Sequence, residues 1–362
     1  MNITIQHQKL LNAVRMVERI VSKNTSLPVL QSILLKTDGG SLYVTATNLE
    51  IGIKAWVGAK IESSGVVAVP ARVFTEFLNS IKEEKIQLKT EKNTLFLTTN
   101  NYKTQILCIA PEEFPLIPTI KDGIQYLLTS NNLKSILLSV IDATSLLETR
   151  PEFTGVAFTI EPNSIATAAT DSFRLSEKIL AVKTGVQKSF ILPRATAFEI
   201  IRLTSDRSDD IQIIVSENQI AFRGSDFELV SRLIEGKYPD YKKIIPERFI
   251  AQVEINKQAF EQNIRTASVF SSTISDLHLH INGDKLMINA KNTNKGEIDT
   301  TIPLANNKAV FEISVNYRYL LDGLKILSGD TVVLGYTGPG SPVVLRGSDD
   351  TSTTYVIMPL RV

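Results

Sequence analysis

The sequence predicts an α+β protein made of three similar domains, and three observations support this prediction. The chain has 362 residues, more than a single hydrophobic core normally organises. Segments that begin at Met1, Gln125 and Ala251 each show a short alternating strand followed by an amphipathic helix. The stretches between the helices alternate polar and apolar residues, as antiparallel strands do, for example from Leu42 to Val57.

Each copy also contains a second strand and helix, and landmarks recur at nearly constant spacing. Pro70 and Pro193 lie 123 positions apart at a strand-to-helix junction, where proline fits the first helical turn, and Val315 follows 122 positions later. Each copy ends on an aromatic residue or methionine followed by proline: Phe114-Pro115, Tyr238-Pro239 and Met358-Pro359. We therefore expect domains at residues 1–122, 123–249 and 250–362.

The predicted helices carry most of the positive charge. They cover residues 8–23, 71–82, 131–145, 194–203, 256–269 and 316–327. These ranges hold thirteen basic and six acidic residues, while the remainder holds 26 basic and 32 acidic residues. Positive helices on an otherwise acidic chain suit the phosphate backbone of DNA, which lysine and arginine contact without reading sequence. The alternative is that these residues are simply good helix formers on a solvated face.

No pattern in the sequence indicates catalysis, a cofactor or a metal. Phosphate-loop and nucleophile-elbow motifs are absent. His278 and His280 alternate on a predicted strand without a third ligand at a suitable spacing. The one cysteine, Cys108, lies in an apolar run and is expected to be buried and inert, which suits the reducing cytoplasm. No apolar run is long enough to predict a membrane span.

Five segments along the whole chain resemble the bacterial DNA polymerase III beta subunit family, the DNA sliding clamps. They are SLPVL (26–30), VPARVF (69–74), TDSFRL (170–175), YPDYKKIIP (238–246) and IMPLRV (357–362). The resemblance implies three clamp domains per chain, each with two helices on the inner face and antiparallel sheets outside. It also implies a ring-shaped head-to-tail homodimer around double-stranded DNA, which tethers the polymerase for processive replication and is opened by a separate clamp loader.

The resemblance further implies which residues contact DNA. Arg72 and Arg194 match DNA-facing arginines of the family, and Lys23 lies near a third such arginine, whose own position is taken by Asn24. Arg15 and Arg19 add positive charge on the first helix. Where the family has aromatic residues in a DNA-contacting loop, this chain has proline and glutamate at 151–152.

A hydrophobic cleft that accepts a short linear peptide from polymerases and the clamp loader is the second implied site. It comprises Arg150, Phe153, Thr170, Ser172, Phe173, Arg174, Leu175, Pro239, Lys243, Ile244, Pro342, Val356, Met358, Pro359, Leu360 and Arg361. Its apolar walls are expected from Leu175, Ile244, Val356, Met358 and Leu360, and its polar end from Arg174 and Arg361. The chain departs from the family pattern at Ser172-Phe173 (usually Gly-His), Phe153 (Leu) and Lys243 (Arg).

The resemblance places the dimer interface at Leu107 on the first domain and at Val269 and Phe270 on the third. Glu297 and Asp299 are expected to pair with basic residues across the interface, such as Lys103. Two other classes stay open on the residues alone: a DNA-binding scaffold that forms no ring, and an enzyme with a β-rich body.

Overall fold

The computed structural model describes residues 1–21, 27–305 and 308–360. The chain forms two compact units, one of Met1–Asn131 with Arg202–Leu233 and one of Asn132–Ile201 with Ile234–Val362. Over the described ranges there are six α-helices and twenty-five β-strands. The helices are α1 (His7–Val17), α2 (Ala71–Ser80), α3 (Ser130–Leu138), α4 (Arg194–Leu203), α5 (Lys257–Ser268) and α6 (Tyr317–Ile326).

The six predicted helices are confirmed, but two of them end earlier than predicted. Helix α1 stops at Val17 instead of residue 23 and passes into a short 3₁₀ turn. The guanidinium of Arg202 donates to the carbonyls of Arg15 (3.2 Å) and Met16 (2.5 Å), two groups that a helix end leaves unpaired. Helix α3 stops at Leu138 instead of residue 145, and the hydroxyl of Ser176 donates to the carbonyl of Ser139 at 2.6 Å.

The first unit contains two antiparallel sheets. One has the order β5 (Lys60–Ser63), β1 (Asn2–Gln6), β7 (Lys85–Glu91), β8 (Thr94–Thr98) and β9 (Lys103–Leu107). The other has the order β10 (Ile124–Thr129), β15 (Asp210–Val215), β16 (Gln219–Arg223), β17 (Phe227–Arg232), β4 (Ile51–Gly58), β3 (Ser41–Thr47), β2 (Ser32–Asp38) and β6 (Val66–Pro70).

The second unit repeats this plan. Its eight-stranded sheet has the order β14 (Lys188–Pro193), β11 (Gly155–Glu161), β12 (Ser164–Thr170), β13 (Arg174–Ala181), β25 (Thr353–Ile357), β24 (Val343–Gly347), β23 (Thr331–Tyr336) and β18 (Ala251–Asn256). A smaller sheet has the order β21 (Gly296–Pro303), β20 (Lys285–Asn292), β19 (Asp276–Asn282) and β22 (Val310–Asn316). All pairings in both units are antiparallel.

The predicted internal repeat is present in the order of elements. A strand leads directly into a helix six times, as β1–α1, β6–α2, β10–α3, β14–α4, β18–α5 and β22–α6. The apolar face predicted for α1 is buried at Leu10, Ala13, Val14 and Val17. Burying such a face stabilises the fold by about 1.5–3 kcal/mol for each large apolar side chain. Helices α5 and α6 pack in the same way against the sheets of the second unit.

Candidate functional site

The helices carry the segregated positive charge that the sequence predicts. With the observed bounds, they hold ten basic and four acidic residues, a net charge of +6, whereas the whole chain has a formal net charge of +1. Such a distribution suits a non-specific contact with phosphates.

The predicted DNA-contacting residues of the first unit are exposed. Arg15 donates a 2.5 Å hydrogen bond to Asn79, and Arg19 lies in the 3₁₀ turn that follows α1. Arg72, at the start of α2, forms a 2.8 Å ion pair with Glu76, and both side chains are largely exposed. An exposed pair of this kind contributes little to stability, so Arg72 can exchange Glu76 for a phosphate. Lys23 lies outside the described residues.

Arg194 differs from Arg72 because it is only partly exposed. Its guanidinium lies 5.0 Å from the centroid of the Phe198 ring one turn along α4, in a cation–π contact. Its Nε atom is buried without a hydrogen-bond partner among the described residues. The terminal nitrogens of Arg194 are therefore the atoms available to a phosphate, and the Phe198 ring holds the side chain in place.

A second basic surface, which the sequence-based site prediction missed, lies between α5 and α6. An open cavity of about 570 Å³ is lined there by four basic residues (Lys257, Arg265, Arg318 and Lys325) and by Glu261, Leu321 and Asp322. The signal was present in the sequence, because these residues are among the basic residues of the predicted helices. The resemblance, however, named no DNA-contacting residue on these two helices.

The residues predicted for the peptide cleft include a tight turn between β12 and β13. Asp171 Oδ1 accepts the N–H groups of Phe173 and Arg174, each at 3.0 Å, and Thr170 Oγ1 donates to the carbonyl of Arg174 at 2.6 Å. Ser172 has a φ of +77°, in the left-handed region where glycine is favoured. The turn needs a positive φ at this position, which explains why the family usually has glycine here. In this chain the surrounding hydrogen bonds hold serine in the same conformation.

A small buried apolar cluster lies among the residues predicted for the cleft. Leu175 on β13 is opposite Val356 on β25, and Val356 is opposite Val344 on β24. These residues pack with Tyr241 and are buried. Leu175 and Val356, which were expected to form accessible apolar walls, are therefore buried within this cluster.

The accessible apolar surface of the cleft belongs to other predicted residues. Phe173 is 60% exposed and Ile244 is 46% exposed. Met358, Pro359 and Leu360 are partly buried beyond the end of β25, where the Met358 N–H donates to the Phe173 carbonyl at 2.8 Å. Arg361 lies outside the described residues.

Aromatic rings support one side of the cleft. The rings of Phe153 and Tyr238 meet edge to face with centroids 5.8 Å apart, and Arg150 lies 5.5 Å from the Phe153 centroid. The Tyr238 hydroxyl accepts the N–H of Thr170 at 3.0 Å. Burial raises the pKa of Tyr238, so the hydroxyl stays protonated. Tyr238 and Tyr241 were not among the predicted site residues, although both lie within the family-like segment at 238–246.

Arg174 makes its polar contacts within the protein and not at the polar end of the cleft, where it was expected. It pairs with Asp171 at 3.0 Å and with Asp322 on α6, and its guanidinium lies 4.6 Å from the Tyr319 ring centroid. Burial alone lowers the pKa of Arg174, but the Tyr355 hydroxyl and the two carboxylates outweigh it and raise the pKa. The interactions of Arg174 therefore connect the cleft turn to α6.

The remaining predicted cleft residues lie at its rim. Lys243 is exposed and pairs with Asp240 at 3.1 Å. The Pro239 carbonyl accepts the Tyr241 N–H at 2.7 Å, just before the 3₁₀ turn at Tyr241–Ile244, and the Pro342 carbonyl accepts the Thr337 hydroxyl at 2.6 Å. Both prolines thus stabilise local turns.

The predicted dimer-interface residues lie near outer strands of the two smaller sheets. Leu107 ends the edge strand β9 and is 75% exposed, and Val269, which follows α5, is also exposed. Phe270 is partly buried against the core of the second unit. On the edge strand β21, Glu297 pairs with Lys291 at 3.0 Å, and Asp299 accepts a hydrogen bond from Asn289.

Within residues 1–21, 27–305 and 308–360, no group of three or more His, Cys, Asp or Glu side chains is placed to hold a metal ion. None of the helices in those ranges has the length and apolar character to cross a membrane. Cys108 is half-buried rather than fully buried, and this burial raises its pKa to about 11.

Three family models match the chain in consecutive order. They describe the N-terminal, central and C-terminal domains of the DNA polymerase III beta subunit and match residues 1–118, 127–240 and 242–361. The "Beta sliding clamp" of Staphylococcus epidermidis is 28% identical over all of this chain and 99% of its own length, and that of Staphylococcus aureus is 26% identical with the same coverage.

Solved structures show the same fold. The sliding clamp of Bartonella birtlesii, determined with griselimycin bound, superposes with a TM-score of 0.96 at 26% identity, covering 100% of both chains. The clamp of Bacillus subtilis has a TM-score of 0.96 at 23% identity, covering all of this chain and 99% of its own, and supports the fold alone.

The fold and these matches define a DNA sliding clamp of three repeated α+β domains, a replication protein. The chain belongs to the DNA polymerase III beta subunit family.

Proposed function

We propose that two copies of this chain join head to tail into a closed ring around duplex DNA and tether the replicative polymerase to it. The observation that carries the proposal is the net charge of +6 on the helices of a nearly neutral chain. A helical inner face of this charge holds phosphates without a sequence-specific grip, which permits sliding. The proposed domain bounds are 1–122, 123–249 and 250–362.

The size of the bore supports two chains rather than one. Twelve helices about 10 Å apart form a circle about 38 Å across at their axes. After subtraction of one helix diameter of about 10 Å, about 28 Å remains, enough for a duplex, whereas six helices leave only about 9 Å. Two chains with six helices each meet this requirement.

The outer edges of β9 and β21, which pair with no strand among the described residues, support the head-to-tail arrangement. Each is the outer strand of its sheet, so its backbone can pair with a strand of another chain. Leu107 and Val269 are exposed apolar residues near these edges, and an interface between copies would bury them. Lys103 on β9 and Glu297 on β21 have opposite charges, which suits pairing across such an interface.

We propose that the cleft at Phe173, Ile244 and Met358 binds a short linear peptide of polymerases and of the clamp loader. Exposed apolar side chains above a buried floor suit aliphatic or aromatic anchors of an extended segment. Lys243 and Arg150, at the rim, suit the acidic or polar groups of such a peptide.

In this proposal the chain is a processivity factor in the cytoplasm that needs neither catalysis nor a cofactor. A closed ring stays on DNA because of its topology, so its affinity for DNA can stay low. The sequence has no phosphate-loop motif, so a separate ATP-driven loader has to open the ring.

The test compares release from closed and from opened DNA. Sedimentation of the purified protein is expected to show a species of two chains. After loading on nicked circular DNA, the protein is expected to stay bound until a restriction enzyme linearises the circle, and then to slide off. A monomer in sedimentation, or equal release from circular and linear DNA, contradicts the proposal.

A further inference from the structure

The turn that begins the cleft occurs a second time, in the first unit. Thr47 and Asn48 lie 123 positions before Thr170 and Asp171. Thr47 Oγ1 donates to the Ile51 carbonyl at 2.9 Å, and Asn48 Oδ1 accepts the N–H groups of Glu50 (3.1 Å) and Ile51 (2.8 Å). These bonds repeat those made by Thr170 and Asp171. Leu49 has a φ of +77°, the value found at Ser172.

The strand pairing beside this turn is repeated as well. Gly52 on β4 is opposite Val230 on β17, just as Leu175 on β13 is opposite Val356 on β25. Beyond each pair, one more hydrogen bond extends the ladder. The Arg232 N–H donates to the Glu50 carbonyl at 3.2 Å, and the Met358 N–H donates to the Phe173 carbonyl at 2.8 Å. The first unit thus contains the scaffold on which the cleft is built.

An open cavity of about 280 Å³ lies on this second scaffold, and we name it the Leu49 groove. It is bounded by the turn at Leu49, by residues 115–118 and by the end of β17. Ile117 fills the floor, since a Cβ added to Gly52 would lie 2.7 Å from Ile117 Cγ2. The apolar rim remains open: Leu49 is 50% exposed and Leu116 is 97% exposed.

Leu49 is an unusual residue for its backbone conformation. A bulky side chain at positive φ is strained, and glycine or asparagine adopts this conformation at lower cost. The chain nevertheless has leucine here, with half of its surface exposed at the rim of the groove. A strained apolar residue at the edge of a groove indicates a role beyond folding of the turn.

The segment that borders the groove also has backbone N–H groups without a partner among the described residues. In the part of the chain that the structure describes, the N–H groups of Leu116 and Ile117 make no hydrogen bond within the protein, and the segment belongs to no helix or strand. Such a backbone can pair with an extended peptide, whose alternate side chains then enter neighbouring pockets.

We propose that the Leu49 groove binds a short extended peptide of a partner protein, with aliphatic side chains at alternate positions. The repeated scaffold, the exposed leucines and the unpaired backbone all favour an extended peptide as the occupant. The inference rests on the proposed function in one respect, because it takes the cleft as a peptide site. It adds a second site of the same class to each chain.

The test uses cysteine protection, for which the chain is well suited. The half-buried Cys108 has a pKa raised to about 11, so it reacts slowly with iodoacetamide near neutral pH. The variant Leu116→Cys places a reactive thiol at the groove, Lys243→Cys places one at the cleft rim, and Val310→Cys is an exposed control outside both sites. The probe is a synthetic peptide library with leucine, isoleucine or valine at alternate positions, compared with a library that has serine there.

The aliphatic library is expected to slow alkylation of Leu116→Cys, and the serine library and Val310→Cys are expected to show no effect. Adding Leu49→Gly should raise the peptide concentration needed for half-maximal protection by about tenfold, the ratio that corresponds to one lost aliphatic contact. This change relieves backbone strain and should not lower the melting temperature. The matched change Ser172→Gly, in the repeated turn, should leave protection at Leu116→Cys intact.

The outcomes separate this inference from the proposed function. Protection of Lys243→Cys without protection of Leu116→Cys overturns the second site and leaves the cleft standing. Protection of neither thiol overturns the inference together with the proposed peptide cleft. Protection of Leu116→Cys that rises with protein concentration in the absence of peptide identifies a second copy of this chain as the occupant, and that result also overturns the inference.

Discussion

The hydroxyl of Tyr241 donates a 2.8 Å hydrogen bond to Oε1 of Glu177, and both side chains are buried beneath the proposed peptide cleft. Burial, together with the charge of Glu177, raises the pKa of Tyr241, so the hydroxyl stays protonated and acts as the donor. A buried carboxylate is costly without such a partner.

We therefore expect Tyr241→Phe to lower the free energy of unfolding by about 1–3 kcal/mol, because it leaves Glu177 unsatisfied. Denaturant unfolding measures this change. Tyr126→Phe is the matched control, since the buried Tyr126 hydroxyl has no hydrogen-bond partner in the described residues and its removal should cost nothing. Equal effects of the two changes would contradict this account of the Glu177 contact.

The left-handed turn residue Ser172 gives a prediction of the opposite sign. Ser172→Gly removes the strain of a φ of +77° and should stabilise the protein by about 1 kcal/mol. Calorimetry would show a higher melting temperature. Ser189→Gly, within the β14–β11 pairing, should lower stability instead, because glycine weakens a strand. A lower melting temperature for Ser172→Gly would show that its side chain is needed in the turn.

The two apolar layers of the cleft should respond differently to truncation. Ile244→Ala removes an accessible side chain and should weaken binding of a polymerase-derived peptide by about tenfold with little loss of stability. Leu175→Ala opens a cavity in the buried floor and should cost about 2–5 kcal/mol of folding free energy.

Fluorescence anisotropy of the labelled peptide and thermal unfolding of each variant separate these effects. If Ile244→Ala binds the peptide with unchanged affinity, the peptide does not bind at this part of the surface.

Contact of Arg72 with DNA should be visible in the salt dependence of binding. Each phosphate contact contributes about one unit to the slope of log K against log salt concentration, so Arg72→Ala should reduce the slope by about that amount. The control Lys89→Ala removes the same charge from an exposed strand pair with Glu91 and should leave the slope unchanged. If both changes act alike, net charge rather than a local contact governs binding.

The ionisation of the Asp350 carboxyl group should make the free energy of unfolding depend on pH in the acidic range. Partial burial would raise the pKa of Asp350, but hydrogen bonds from Ser352 and Thr353 and the charge of Lys178 outweigh it and hold the pKa well below its usual range. The stabilisation is therefore present above the unfolded pKa of about 3.9 and is lost as the pH falls towards the folded value.

The change Asp350→Asn should consequently lower stability at neutral pH, and the difference from the parent protein should shrink as the pH falls below about 4. Unfolding at a series of pH values measures it. A difference that stays constant across this range would exclude the carboxylate charge as the cause.

The sequence alone was sufficient for the six helices and the threefold repeat. Amphipathic periodicity and a strand-to-helix proline are local signals, since they depend on residues a few positions apart. The helix ends of α1 and α3 were less accessible, because Arg202 and Ser176, which cap the terminal carbonyls, are distant in sequence.

The cleft residues were predicted through family-like motifs, and the structure shows that these residues differ in burial and in their pairing. Leu175 and Val356 are buried because β13 pairs with β25, a partner nearly two hundred positions away. The charge of Arg174 is taken up by Asp322 from α6, which no spacing in the sequence connects to it.

The sequence by itself determined which segments form helices and strands and where the positive charge is concentrated, because those properties follow from neighbouring residues. Only the tertiary structure decided which apolar residues remain open to a partner and which charges are already paired. Those outcomes depend on strand pairings between distant segments, which also place the turns at Leu49 and Ser172 on equivalent scaffolds.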